Sequence, residues 1–191
     1  MRVIGVVGRR GSGKGVLAEV AKRMGLPVFE MSDVVVKRML KTKIIIDNRS
    51  LRLFADRLRK RFGAGFVARR TIERIKREVG EAEAAVVVGI RSPAEVREFR
   101  KAFSNFKLIA VTAPLPLRWA RVRRRRRPED ARDFGEFIWA ERVEESWGLG
   151  KALQSADIKI TNAGSKQAFR KKARKLLMML LEKEYKQAKS K

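Results

Sequence analysis

The residues best suited to chemistry stand at the front of the chain. Gly8-Arg9-Arg10-Gly11-Ser12-Gly13-Lys14-Gly15 follows the apolar run Arg2 to Val7 and leads into an amphipathic segment, Leu17 to Met24. Glycine serves where a backbone must take positive φ and close its N–H groups on phosphate oxygens. A lysine at the end of such a loop reaches the β- and γ-phosphates as a mobile cation. Strand, glycine loop and helix start form the setting of a phosphate-binding P-loop, whereas the same spacing elsewhere would describe an ordinary βα turn. The expected phosphate contacts are Gly8, Gly11, Ser12, Gly13, Lys14, Gly15 and Val16, with Lys14 also acting in catalysis.

Composition removes most other chemistries. The 191 residues include no cysteine and no histidine. Disulfides, thiolate metal sites, cysteine nucleophiles and serine–histidine triads are therefore excluded, and proton transfer falls to Asp, Glu or Lys. No protein ligand set for a metal is expected. An arginine-rich, cysteine-free chain suits a thermophile. The formal net charge of +26 exceeds what solubility or one bound nucleotide requires. It points to contact with a nucleic acid or a ribonucleoprotein, or else to a general bias toward Arg and Lys. No apolar run approaches the roughly 20 residues of a membrane span. A start in which Met1-Arg2 meets the motif directly points away from a signal peptide and toward the cytoplasm.

The elements that must position the loop alternate along the chain. Arg2 to Val7 reads as a first strand, Leu26 to Met31 as a second, and Ala84 to Ile90 as a third, a continuous apolar run of the parallel-sheet kind. Lys107 to Ala113 and Asp157 to Thr161 follow as strands four and five. Ser32-Asp33 reads as an N-cap pair, and Pro93 starts a helix. Val34 to Val79 is helical in pattern, broken near Asp47-Asn48 and Gly63-Ala-Gly65. Pro114 to Gly150 carries Arg118, Arg121, the run Arg123 to Arg127 and then an acidic-aromatic stretch ending in Glu144-Glu145-Ser146-Trp147. Six consecutive apolar positions, Leu176 to Leu181, cover all sides of the last helix, which suits packing on the sheet better than lying on lipid. A basic tail runs from Lys166 onward.

With these landmarks the chain resembles the nucleoside monophosphate kinase group of P-loop proteins, and within it an archaeal family related to adenylate kinase and dephospho-CoA kinase. The resemblance rests on Gly8 to Gly15, Met31-Ser32-Asp33-Val34-Val35, Gly89-Ile90-Arg91-Ser92, the arginine block, and Ala156 to Asn162. It covers most of the chain. It implies a three-layer α/β P-loop NTPase fold with a five-stranded parallel sheet of order 2-3-1-4-5. The core would comprise residues 1–33, 80–113 and 151–191, with a helical acceptor-binding insertion at 34–79 and an arginine-rich lid at 114–150. It also implies ATP as donor, Mg²⁺ held mainly through nucleotide phosphates and water, and a nucleotide-like acceptor.

Carried over residue by residue, the resemblance implies that Asp33 orients the acceptor or a metal-bound water, and that Arg38 and Arg91 bind the acceptor. Arg121 and Asn162 would lie by the base, and Arg125 by the transferring phosphate. Capping offers a plainer role for Asp33 and for Asn162. Three expected groups are missing. Val36 stands where an arginine is usual three residues after Asp33, with Lys37 and Arg38 next to it. Val16 stands where a metal-directed hydroxyl is usual, and Val88 where a carboxylate is usual at the end of strand three. Two readings follow: an ATP-dependent kinase of a nucleotide-like acceptor, and an ATP-binding protein associated with nucleic acid or ribosomes with weak turnover or none.

Overall fold

The computed structural model describes the backbone of residues 1–188 and the side chains of residues 1–182, so the last residues of the basic tail lie outside the described residues. Five strands form one parallel sheet: β1 (Arg2–Val7), β2 (Val28–Glu30), β3 (Ala84–Ile90), β4 (Phe106–Thr112) and β5 (Ile158–Thr161). Their order is β2-β3-β1-β4-β5. All six residues of β1 and all seven of β3 are buried, as expected for central strands covered on both faces. The helices α1 (Lys14–Arg23), α2 (Ser32–Met39), α3 (Asn48–Phe62), α4 (Phe66–Glu78), α5 (Pro93–Ala102), α6 (Leu115–Arg125), α7 (Phe134–Ser146), α8 (Leu149–Gln154) and α9 (Lys166–Ala188) complete the described fold.

The two faces of the sheet carry separate cores. On one, Leu17, Ala18 and Ala21 of α1 and Phe169, Leu176, Leu177 and Leu180 of α9 meet Ile4, Val6, Val86, Val88 and Ile109. The apolar run in α9 thus divides: Leu176, Leu177 and Leu180 are buried, while Met178 and Met179 stay exposed. On the other face, side chains of α2 to α5 and α8 pack with Val3, Val7, Ala85, Val87, Leu108 and Ala110. A third cluster of Val122, Ala131 and Phe137 ties α6 to α7. Among the described residues no helix is long and apolar enough to cross a membrane.

The helices begin and end where local chemistry directs. Asp47 accepts from the backbone N–H groups of Arg49 and Ser50, and Ser50 accepts in return from Asp47, closing a capping box on α3. Ser92 caps α5, with Pro93 in its first turn. Ser32 is the first residue of α2 rather than its cap, and no side chain caps that helix. Helix α8 runs across the boundary expected near residue 150 and buries Leu149 and Ala152 in the main core.

This order puts β1 between β3 and β4, with α1 after β1 on one face and α5 after β3 on the other, which opens a crevice at the carboxyl ends of the strands. The loop after β1, Glu30 at the end of β2, Arg91 after β3 and Asn162 after β5 all stand at that edge.

Candidate functional site: a phosphate cleft at the sheet edge

The loop between β1 and α1 is held from beneath. Gly11 takes φ +74° and Gly13 +115°, conformations that side-chain-bearing residues rarely adopt. A Cβ on Gly11 would come within 2.4 Å of the Arg118 carbonyl oxygen, and one on Gly13 within 2.2 Å of Asn162 Nδ2. The glycines thus let the loop close over α6 and the β5 exit turn. No side chain caps the first turn of α1 and no acid lies in it, so the positive end of the helix faces the crevice. Beside Gly15 a Cβ would meet nothing within 4 Å, which is open space above that turn.

Lys14 folds back over the loop, where its Nζ donates to the Gly8 carbonyl and, at 3.0 Å, to the Arg9 carbonyl. Burial, with Arg91 as the next cause, lowers its pKa to about 7; Glu144 opposes the shift. An anion entering the crevice would offer this ammonium better partners than two neutral carbonyls.

A cleft of about 2000 Å³ opens over the loop, lined by Gly11, Gly13, Lys14, Gly15 and Val16, by Glu30 and Arg91, and by Arg121, Arg123 to Arg127, Glu144 and Asn162 on the far side. Gly8 and the fully buried Ser12 lie beneath it. Arg91 donates to the Gly89 carbonyl and pairs with Glu144 at 3.4 Å. A shift in register between Val6 and Val7, opposite Gly89 at φ +99°, sets the direction in which the chain leaves β3. Arg121 donates to the carbonyls of Gly11 and Asn162 and to Asn162 Oδ1. Asn162 Nδ2 donates to the Ser12 carbonyl at 2.8 Å. The pair therefore braces the loop, and the in-plane bonds leave the faces of the Arg121 guanidinium for stacking. Arg125 makes a two-point contact with Asp130, at 2.7 and 2.6 Å. Burial pushes the Asp130 carboxyl up, and Arg125 outweighs this and holds it below the usual carboxylate range.

Two of the residues expected at the acceptor are engaged with side chains of neighbouring helices. Asp33 accepts from Arg74 of α4 at 2.7 Å and does not line the cleft; nor does it cap α2. Arg38 covers the rings of Phe62 and Phe66, 5.8 and 5.0 Å from their centroids. Neither meets Lys14, Arg91 and Arg125.

Other groups that sequence reasoning passed over take those places. Glu30 pairs in register with Val88, so its carboxylate stands one strand over from the missing one. It lines the cleft half-buried, with its pKa raised first by burial and then by Asp33, against Arg91, Lys22 and Lys14. Glu144 of α7, 4% exposed, lies 3.3 Å from Arg52 and beside Arg91. Burial raises its pKa, yet Arg91, Arg10 and Lys14 together lower it below the usual range. The two residues between the loop glycines reach into the same segment: Arg9 meets Glu145 at 2.6 Å, and Arg10 meets Asp130 at 3.2 Å and the Glu129 carbonyl at 2.7 Å. A signal for these acids was present in the sequence. In a chain with 21 acidic against 47 basic residues, Glu141, Glu144 and Glu145 fall on one helical stretch.

The sheet order, the glycine loop and the cleft above it define a P-loop protein of the kinase-like fold. A family model described as an AAA domain matches residues 4–146. A UPF0200/UPF0201 protein of Archaeoglobus fulgidus is 40% identical over 181 residues, covering 94% of this chain and 56% of that protein. A UPF0200 protein of Methanosarcina mazei is 39% identical over 183 residues, covering 95% of this chain and 97% of the relative. The chain belongs to this P-loop family and, within it, to the UPF0200 proteins. It spans about half of the Archaeoglobus relative and nearly all of the Methanosarcina one. In fold it is similar to a shikimate kinase from Acinetobacter baumannii, with a TM-score of 0.59 and 17% identity over 96% of this chain and 94% of that one. A gluconokinase from Sinorhizobium meliloti gives a TM-score of 0.55 at 16% identity, covering 97% of each chain.

Proposed function

We propose that the protein is an ATP-dependent phosphotransferase that moves a γ-phosphoryl group to a small anionic acceptor, a class that includes the nucleotide-like acceptor expected from the sequence. The observation that carries this reading is the convergence of the glycine loop, Lys14, Glu30, Arg91 and Arg125 on one cleft. Phosphoryl transfer demands positioning and charge neutralisation more than covalent chemistry, and these groups supply both. Loop N–H groups and Lys14 hold the donor phosphates. Arg125, fixed by Asp130, neutralises charge on the phosphoryl group in flight. Arg91 holds the acceptor, and Arg121 with Asn162 borders the adenine. Glu30, half-buried and with its pKa raised, accepts the acceptor's proton.

The cleft also fits magnesium. The carboxylate of Glu30 faces it, and among the described residues no hydrogen bond engages that carboxylate, while Val16 and Val88 offer no oxygen. Glu30 would hold the ion through water, the nucleotide phosphates providing the rest, and the ion supplies charge neutralisation at the β- and γ-phosphates.

Release of ADP from ATP with a panel of acceptors tests the reading. Lys14→Ala is expected to weaken nucleotide binding about 10- to 100-fold, the worth of one lost bond to a charged group. Glu30→Gln is expected to leave nucleotide affinity in place and lower kcat by about 10²- to 10⁴-fold. Failure of every acceptor, with ADP release unchanged in Lys14→Ala, would sink the proposal.

A second reading, association with nucleic acid or a ribonucleoprotein, is favoured by one observation. Arg123, Arg124 and Arg126 are exposed on the cleft wall, and none makes an ion pair among the described residues.

A further inference from the structure

Behind Arg91 the cleft continues into a small inner pocket of about 30 Å³ between α2, α3 and α7. Its wall includes Arg10, Arg52, Arg59, Arg91, Glu144 and Trp147. Met31, Val35, Leu51, Ala55 and Val67 also line it, so four guanidiniums and one carboxylate stand against an apolar lining.

The hydrogen bonds show what this wall lacks. Arg52, 3% exposed, spends one terminal nitrogen on the Asn48 carbonyl and Oδ1 and the other on Glu144, which leaves Nε buried without a partner. Arg59 donates to the Ala55 carbonyl and to Glu95 and lies 4.1 Å from the Trp147 ring centroid; its Nε is also buried and unpartnered. One turn before Arg52, and outside the pocket lining, Asn48 Nδ2 is in the same state. All three unmatched atoms of α3 are donors. The charges are unmatched too: Arg52 and Arg91 share the single carboxylate of Glu144. Buried donors left unpaired are costly, and a group that only accepts would relieve them.

We propose that this pocket is an anion subsite that takes a carboxylate or phosphate on the acceptor, at the end away from the reacting oxygen. The substrate class follows from size and polarity. A void of about 30 Å³ admits a compact group of a few heavy atoms, such as a carboxylate. A nucleobase, large and bearing both donors and acceptors, matches neither the volume nor the unpartnered guanidinium donors. The acceptor is thus a compact acid or phosphate ester carrying a hydroxyl or a second phosphate, not a nucleoside monophosphate. Glu144 stands in for part of that anion in the empty site. This inference rests on the phosphotransferase reading and narrows its acceptor.

Calorimetric titration of inorganic phosphate into protein saturated with a non-hydrolysable ATP analogue tests it, because the analogue fills the loop. One further phosphate site is expected. Arg52→Gln should weaken it about tenfold or more while leaving analogue affinity within about twofold. Should that variant fail to fold, Arg52→Met combined with Glu144→Gln removes one charge of each sign and must show the same loss. Malonate in place of phosphate separates a carboxylate source from a phosphate source, and the tighter binder names the group. AMP competing no better than phosphate itself supports the compact class. AMP competing at least about tenfold better overturns it, as does the absence of a second site or a site indifferent to Arg52. The two proposals fail separately. Loss of the second site with nucleotide binding intact defeats only this one, and a phosphate site without phosphoryl transfer to any acceptor defeats only the other.

Discussion

Lys14 is a cation whose charge depends on what fills the cleft. Its pKa of about 7 in the empty site, set first by burial and then by Arg91, means that near neutrality much of the population is uncharged. Nucleotide phosphates favour the ammonium, so binding takes up a proton above that pKa. Affinity for ATP is therefore expected to be level below about pH 7 and to fall by up to about tenfold per unit above it, until the pKa of the complex is passed. Lys14→Arg, charged throughout this range, should flatten the profile; a slope that survives it would assign the proton to another group. The empty protein shows the opposite trend. The folded pKa lies below the ordinary 10.5, so between about 7 and 10.5 the unfolded chain binds more protons. The contribution of Lys14 to stability therefore rises with pH across that window, and denaturant melts of Lys14→Met should lack that component.

Helix α7 acts as an acidic comb set into the basic cleft. Glu141 meets Arg118 at 2.8 Å, Glu144 meets Arg52 and Arg91, and Glu145 meets Arg9. Their surroundings separate them. Glu144 is buried with its partners, whereas the Glu145 and Arg9 side chains are 47% and 33% exposed. Glu144→Ala leaves two guanidiniums to share an uncompensated site and is expected to cost about 3–5 kcal/mol in urea or guanidinium melts. Glu145→Ala removes a solvent-screened pair and should cost at most about 1 kcal/mol. Equal losses would show that α7 is held by packing rather than by its acids. The same helix shows where the sequence stops being informative. The apolar strands β1 and β3, the helix break near Asp47 and the glycine loop are local patterns, readable because each is written in neighbouring residues. Glu144 is not. Its partner Arg52 is 92 residues away, and only the fold of α3 against α7 brings them together. Glu30 was hidden for a related reason: its bearing on the cleft comes from the β2–β3 register, which sets it beside Val88. Asp33 matched a motif by position, and Arg38 stood two residues beyond the place expected for an arginine. Arg74 of α4 pairs with the first, however, and the rings of Phe62 and Phe66 lie under the second.

For the molecule as a whole, the excess of positive charge is unevenly used. Buried arginines such as Arg118 are matched to acids and serve the fold. The run from Arg123 to Arg127 divides: α6 ends at Arg125, Arg126 takes a left-handed conformation at φ 48°, and the chain turns sharply before Asp130. Arg125 is fixed on Asp130 by this turn, while Arg123, Arg124 and Arg126 remain exposed. Lys166 at the start of α9 borders the same cleft, and Lys171, Lys172, Arg174 and Lys175 are exposed further along that helix. If these side chains meet a polyanion, binding must release counterions. The observed constant for duplex DNA should then fall by about 0.9 log units per tenfold rise in salt for each phosphate contacted, and by about 0.7 for a single strand. Replacing Arg123, Arg124 and Arg126 with Gln together should reduce the slope by about two to three contacts on either nucleic acid. The same replacement should leave ATP affinity nearly unchanged, because the loop and Lys14 are untouched. Fluorescence anisotropy of labelled RNA and DNA across a salt series reads both quantities. A slope that ignores the three substitutions would place any polyanion contact on another surface, and no binding at moderate salt would leave these arginines to the small anionic ligands of the cleft.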